Sequence, residues 1–408
     1  MRRFKLPRLF EALNNPLPTP DENAFLINEE LYPFALKPSP LRPDCPVGHR
    51  IRIWTPPTAR HSLDSSGTPT NLNKRDLDKI REIINEAYAP TTRSSYGTGL
   101  YAFHFFCDHK DISEEHRSPV NPTVLASFIS TMVGIYGGST IRNYVYGIRA
   151  WHIIHGIPWN TNREEVDALL KAGRRLTPKE AKRAEKKPWT IEYLKTICGA
   201  LNQEDPRDIA VLACITTAFW GTARLGEVTV PALNKFNPKT HVKVSDVEFG
   251  TCDPKGNEVT VIFIPWTKTA GEKGEKIYWA KRNGVVDPQA ALEKHLALNK
   301  PGNNDHLFSY RDKQGLRPMS RGILLRRLNS ITSELKLEKL PGHGIRVGST
   351  LEYLLRGLTF EAVKVKGRWK SDAFKVYLRN HAQVMAELIQ ERPAIHEAFL
   401  RYTIPSIP

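Results

Sequence analysis

From position 74 the chain alternates apolar stripes at three- and four-residue spacing with short polar breaks, the pattern of amphipathic helices. RDLDKIREIINEAY sets Leu77, Ile80, Ile83, Ile84 and Ala87 on one face, and Pro90 ends it. TTRSSYGTGLYAFHFFCDH follows, with Tyr96, Leu100, Phe103 and either Phe106 or Cys107 in line. NPTVLASFISTMVGIYG predicts a third helix, with Asn121 as cap and Pro122 at its first position. STIRNYVYGIRAWHIIHG gives a fourth, opening near Ser139 or Thr140, and TNREEVDALLKAGRRL a fifth. No strand pattern interrupts them, so residues 74–173 read as one helical domain.

The pattern changes after Trp189. TIEYLKTICGAL reads as a helix capped by Thr190, and DPRDIAVLACITTAFWGTARLGEV as a longer, apolar one opening at Asp205 and Pro206, with the composition changing at its end from Gly221 to Glu227. Three stretches then take a two-residue period: HVKVSDVEFG, EVTVIFIPWTK and EKIYWAKR. DPKGN splits the first pair and TAGEKG the second, which predicts a small antiparallel sheet. DPQAALEKHLAL, SRGILLRRLNSITSEL and the apolar segment after Pro341 return the chain to helix, and VMAELIQERPAIHEAFL adds an amphipathic C-terminal segment. Residues 189–408 therefore read as a second, α+β domain.

Composition adds the ends and the partner. Residues 1–73 hold 12 of the 30 prolines and keep neither period, so they read as a largely disordered leader, with IRIWT as one short piece able to dock. Residues 174–188 carry seven basic against two acidic residues and read as a basic linker; KRAEKK there also fits a nuclear localisation signal. Lys and Arg total 59 against 43 Asp and Glu, a net charge of +16 that points to a polyanion, most often nucleic acid. No apolar run is long enough to span a bilayer, and MRRFKLPRLF lacks the continuous apolar core of a secretion signal. The five cysteines are scattered and never C-x-x-C, which argues for a reducing compartment and against a zinc finger. His152 and His155 stand without a second ligand pair, so they read as packing residues rather than a metal site.

Chemistry-bearing residues concentrate in 341–380, PGHGIRVGSTLEYLLRGLTFEAVKVKGRWKSDAFKVYLRN. His343 and Arg346 are three apart and share a face if the turn opens a helix, joining a proton carrier to a fixed cation suited to phosphate. Tyr377 supplies a hydroxyl near clustered positive charge. Upstream, Arg224 and Glu227 stand beside two glycines at the end of an apolar helix, where a buried guanidinium needs a carboxylate partner. Lys268 sits where a hairpin tip begins, with Lys273 and Lys276 as alternatives, while Tyr353 and Tyr402 compete with Tyr377. In the first domain TTRSSY and STIRNY each pair hydroxyls and an arginine with a helix N-terminus, so Thr92, Arg93, Ser139, Thr140 and Arg142 are candidates for a phosphate backbone. The linker adds Arg174, Arg175, Lys182 and Arg183.

Arg224 in ARLGE, Lys268 in TKT, His343 and Arg346 in HGIR, Trp369 in GRW and then Tyr377, in that order, resemble the catalytic set of the tyrosine recombinase (phage integrase) family. The likeness runs from about residue 73 to the C-terminus. It implies a mainly α protein: a helical, SAM-like core-binding domain at 74–173, then a catalytic α+β domain with a small antiparallel sheet. It implies cleavage of double-stranded DNA through a 3′-phosphotyrosyl link on Tyr377, with no metal and no ATP. Arg224 and Arg346 would clamp the phosphate, and His343 would manage the tyrosine proton. Lys268 would protonate the leaving 5′-oxygen, Trp369 would contact a phosphate oxygen, and Glu227 would orient Arg224. One departure stands out: eight positions separate Trp369 from Tyr377, where many members have nine.

The resemblance further implies a homotetramer on two recombination sites, with 385–400 as the segment for docking on a neighbour or for folding back. The proline-rich leader and the style of the motifs are similar to recombinases of eukaryotic mobile elements such as Cryptons, which places the protein in the nucleus if its source is eukaryotic. Two other readings remain: a type IB topoisomerase, which tends to carry Lys in the His-x-x-Arg motif and His where Trp369 stands, and a non-catalytic DNA-binding derivative.

Overall fold

The computed structural model describes residues 36–62, 67–182, 187–252, 256, 258–282, 284–371 and 374. The chain divides into two compact units, Met1–Ala184 and Glu185–Pro408.

The first unit is helical, with no strand among its described residues: α1 (Arg50–Ile53), α2 (Lys74–Glu86), α3 (Pro90–His109), α4 (Glu114–Arg117), α5 (Pro122–Met132), α6 (Gly138–His155) and α7 (Arg163–Arg175). Side-chain caps set the starts. Asn73 Oδ1 accepts from Asp76 N at 3.1 Å, Asn121 from Thr123 N at 2.9 Å and Asn162 from Glu164 N at 3.0 Å. Pro90 opens α3 as well as closing the stretch before it, because a proline in the first turn forfeits only an N–H that has no helical partner. Glycines let α3 and α6 come together. A Cβ on Gly99 would stand 2.5 Å from Tyr144 Cα, and one on Gly147 2.6 Å from the Tyr96 carbonyl oxygen.

Part of the expected leader belongs to this unit. Ile51 and Trp54 are buried in a cluster with Leu100, Trp151 and Ile154. The Trp54 carbonyl accepts from Trp151 Nε1 at 2.7 Å. Arg42 joins Arg117 around the buried Asp108 carboxylate, at 3.3 and 2.7 Å. The proline-rich text hides this because each contact joins residues far apart in sequence. The expected linker also changes at its start: α7 runs through Arg175, and Thr177 Oγ1 then donates to Gly173 O at 2.8 Å and accepts from Gly138 N at 3.2 Å.

The second unit comprises α8 (Ile191–Gly199), α9 (Pro206–Trp220), α10 (Leu225–Val228), β1 (Val247–Cys252), β2 (Glu258–Ile264), β3 (Glu275–Ala280), α11 (Pro288–Asn299), β4 (Tyr310–Asp312), β5 (Gly315–Arg317), α12 (Arg321–Glu334), α13 (His343–Leu355) and α14 (Phe360–Lys366). Every residue of α9 from Asp208 onward is buried, so the core forms around this helix. The sheet is antiparallel in the order β1-β2-β3. Ile262 pairs with Ile277 and Thr260 with Trp279, and all four are buried. The first strand starts at Val247 rather than near His241. Lys243 N and Nζ both donate to the Asp246 carboxylate, at 2.8 and 3.1 Å, closing a tight turn over Val244–Asp246. The hairpin β4–β5 carries three residues per strand, too few for a readable alternation. No described helix is long and apolar enough to cross a membrane.

Candidate active site

Arg346 sits at the centre. It lies one turn into α13, 2% exposed, and reaches two distant segments at once. Nη1 donates to Thr222 O at 2.9 Å and Nη2 donates to Gly367 O. The first carbonyl belongs to the turn before Arg224, the second to the corner that carries Trp369. The guanidinium carbon stands 4.6 Å from the centroid of the Trp369 ring, within cation–π range. His343 begins the same helix and is half-buried.

Both gripped segments contain a non-glycine residue in left-handed backbone: Thr222 at φ 49° and Arg368 at φ 56°. A β-branched threonine there is strained, and such conformations cost about 1–3 kcal/mol each unless the surroundings enforce them. The surroundings here include the Thr222 Oγ1–Ser349 Oγ hydrogen bond of 2.8 Å and the Arg346 grip itself. At the other corner α14 ends in a capping turn, with Arg368 N donating to Val365 O at 2.9 Å and Trp369 N to Lys364 O at 3.1 Å. The left-handed position in such a turn is usually glycine. Here the glycine stands one place earlier, where a Cβ on Gly367 would fall 1.6 Å from Trp369 Cζ3.

Arg224 and Glu227 meet, with the carboxylate rather than the guanidinium as the buried partner. Arg224 Nη1 donates to Glu227 Oε1 at 2.7 Å, and its backbone N donates to Oε2 at 2.8 Å. The Arg224 side chain stays 31% exposed and Glu227 only 6%, so the carboxylate braces a cation that faces outward. Arg368 Nη2 also donates to Glu227 Oε2, at 2.6 Å, from a side chain 7% exposed. Burial works against the charged form of Glu227, but Arg368 and then Arg224 outweigh it and hold the carboxyl below the usual range.

Sequence reasoning missed Arg368, although it stands nine positions before Tyr377, the spacing that Trp369 lacks. It also missed Lys366, which in KVKGRWK reads as part of a solvated basic face. Lys366 is 7% exposed, donates from Nζ to Tyr278 O, and lies over the Tyr278 and Tyr353 rings at 4.2 and 5.0 Å. Burial, followed by the charges of Arg368 and Arg282, pushes its ammonium pKa down to about 7.

Lys268 is exposed in the turn after β2, which is closed by Thr267 and Gly271, whose backbone groups bond at 2.8 and 3.3 Å. Of its alternatives, Lys276 pairs with Glu248 at 3.5 Å and Lys273 is exposed. Tyr353 is buried, donates to Trp220 O at 2.7 Å, and has its phenol pushed up to about 12 by burial, so it is a packing residue. Tyr377, Tyr402, Arg183 and the segment 385–400 lie outside the described residues.

In the first unit Thr92 and Arg93 occupy the first turn of α3, with Arg93 Nη1 2.6 Å from Glu86 Oε1. Ser139 and Thr140 occupy the first turn of α6, and the exposed Arg142 lies 5.9 Å from the Tyr146 ring. Arg174 and Arg175 are exposed in the last turn of α7. A Cβ on Gly138 would stand 2.8 Å from Arg174 Cα, so the basic end of α7 abuts the start of α6. Lys182 is exposed. His152 accepts from Val120 N at 2.9 Å, and burial drives its pKa down to about 4, as for a neutral packing residue. Among the described residues no group of three or more His, Cys, Asp or Glu is placed to hold a metal ion.

No family model matches the chain, and no curated protein matches it. Solved structures are similar, three of them as follows. One is the XerH site-specific recombinase bound to difH substrate in a pre-cleavage complex, at 14% identity and TM-score 0.47, covering 84% of this chain and 94% of that one. Another is XerH bound to palindromic difH in a post-cleavage complex, at 15% and 0.49, covering 79% and 86%. The third is the XerA recombinase, at 17% and 0.37, covering 78% and 98%.

Proposed function

We propose that the chain is a DNA strand transferase of the tyrosine recombinase type, which breaks a phosphodiester by attack of Tyr377 and rejoins it to another end. The observation that carries this reading is the Arg346 grip on Thr222 O and Gly367 O, which joins the Arg224 turn to the Trp369 corner. Two planar cations on separate elements suit the negative charge that grows on the non-bridging oxygens as the phosphorus becomes five-coordinate.

In this reading the Tyr377 oxygen–phosphorus bond forms as the phosphorus–O5′ bond breaks. His343 takes the tyrosine proton, and Lys268 gives one to O5′, which leaves with its electron pair as a hydroxyl. The link to tyrosine keeps the phosphoryl group activated, so ligation needs no ATP, and the arginines with Lys268 supply the charge a metal otherwise would. The exposed Arg142, Arg174, Arg175 and Lys182 serve the phosphate backbone, and a homotetramer on two duplexes is the working unit.

The test starts with duplexes selected by the protein from a random pool, rebuilt with a nick that lets the cut strand escape. Wild type is expected to trap a covalent protein–DNA adduct that is lost in Tyr377→Phe with binding retained. A selected duplex that never yields an adduct overturns the catalytic reading. Rapid relaxation of supercoiled plasmid by monomers, without paired sites, replaces recombination with topoisomerase action.

A further inference from the structure

Arg368 faces two carboxylates. Nη2 donates to Glu227 Oε2 at 2.6 Å, and Nη1 stands 3.6 Å from Glu275 Oε2 at the start of β3. That same Glu275 oxygen accepts from Thr269 Oγ1 at 2.8 Å, in the turn that carries Lys268. Thr269 Oγ1 is in turn 3.2 Å from Thr267 Oγ1, which accepts from Ala270 N at 3.0 Å. The hydroxyls on both sides of Lys268 thus belong to one connected path, Arg224–Glu227–Arg368–Glu275–Thr269, whose central ions are largely shielded from water.

We propose that Arg368 and Glu275 are positioning residues that couple Arg224, on the phosphate, to the turn presenting Lys268 to the leaving oxygen. This rests on the roles given to Arg224 and Lys268 under the proposed function. Three features favour coupling over simple stapling of β3. Arg368 is held in left-handed backbone, at a capping position glycine would fill without strain. Its Nε and Nη1 are buried without a hydrogen-bond acceptor among the described residues, so the Glu275 side is an ion pair without a hydrogen bond. And Glu227 gives both oxygens to the two arginines, so displacing Arg224 displaces the carboxylate that Arg368 leans on.

The experiment changes the leaving group. Full-length wild type, Lys268→Ala, Arg368→Ala, Arg368→Lys and Glu275→Gln are compared on the nicked selected duplex. The scissile phosphate carries either O5′ or a bridging 5′-sulfur, which leaves as a thiolate and needs no acid. On oxygen, Lys268→Ala, Arg368→Ala and Glu275→Gln are expected to slow adduct formation by about 10²-fold, the scale of a lost general acid. On sulfur all three return to within a few-fold of wild type, and Arg368→Lys is intermediate on oxygen. Glu275→Gln keeps an acceptor for Thr269 while removing the charge, so it tests the link even if Arg368→Ala fails to fold. Sulfur rescue of Lys268→Ala but not of Glu275→Gln overturns the coupling alone. Failure of sulfur to rescue Lys268→Ala overturns the acid role of Lys268 and the coupling with it. No adduct from wild type on either substrate overturns the proposed function itself.

Discussion

The guanidinium of Arg346 stacks on the ring of Trp369, 4.6 Å from carbon to centroid, while two of its N–H groups grip Thr222 O and Gly367 O. The ring closes one face of a cation whose edge is already fixed, so the arginine plane has little freedom. A partly desolvated cation–π contact is worth about 0.5–2 kcal/mol. Trp369→Ala is therefore expected to slow adduct formation roughly 3- to 30-fold, with DNA binding near wild type and Trp369→Phe within a few-fold. Single-turnover trapping rates check this. Equal rates for the Ala and Phe variants would show that the ring does not hold the arginine.

Glu227 carries the second prediction. Three donors converge on its buried carboxylate, and a glutamine offers one acceptor oxygen and no charge to two arginines. Removing one partner of a buried ion pair costs about 3–5 kcal/mol, so Glu227→Gln should be destabilised by that order at pH 7. The folded carboxyl lies below its ordinary value, so its contribution is complete above the unfolded pKa, about 4.3, and is lost as pH falls through the folded one. Urea unfolding of both proteins between pH 7 and 3 should show the gap narrowing below about 4.3. A gap that stays constant across that range contradicts the assignment.

Lys366 gives a pH dependence of the same sign in a higher window, from a cation disfavoured by burial rather than an anion held by its partners. Its folded pKa of about 7 lies below the unfolded value near 10.4, so between the two the unfolded chain binds the extra proton. Stability from this group therefore rises as pH increases from about 7 to 10.4 and is level below that window. Lys366→Met should remove a slope amounting to a few kcal/mol in total across the window, on the order set by the shift. Parallel melting curves at pH 7, 8, 9 and 10 decide it. Identical slopes in the two proteins would mean the ammonium is not desolvated as its place over two tyrosine rings implies.

What the sequence makes legible follows range. The Arg224–Glu227 pair is a local helix-start arrangement three residues apart, and the His343–Arg346 spacing places both in the first turn of one helix. The strands keep their period because one face of β2 and β3 is buried. Arg368 escapes because its role depends on a left-handed backbone turn and on a carboxylate more than a hundred positions upstream. Lys366 escapes because a basic run has the same text whether its members are solvated or buried. The leader escapes for a third reason: proline excludes helix and sheet periods without excluding burial, and Arg42 and Trp54 find their partners in α3, α4 and α6.

That last point is the most direct to test. Trp54 is 3% exposed, donates from Nε1 to Pro43 O at 3.0 Å, and accepts at its carbonyl from Trp151 Nε1 at 2.7 Å. Its ring meets those of Tyr101 and His104 with centroids 6.2 and 5.4 Å apart. Truncating a buried tryptophan to alanine costs about 3–5 kcal/mol, since the ring's transfer energy is lost and a cavity remains. Trp54→Ala in the full chain should therefore lose about that much, most visibly in the transition of the first unit. Val47→Ala, in the same segment but 40% exposed, should fall within about 0.5 kcal/mol of wild type. Because the Trp54 backbone carbonyl survives the substitution, the Trp151 hydrogen bond can persist, and the loss reads the ring's packing together with its Nε1–Pro43 bond. A Trp54→Ala protein as stable as Val47→Ala would return residues 36–62 to the status of a leader that merely precedes the helices.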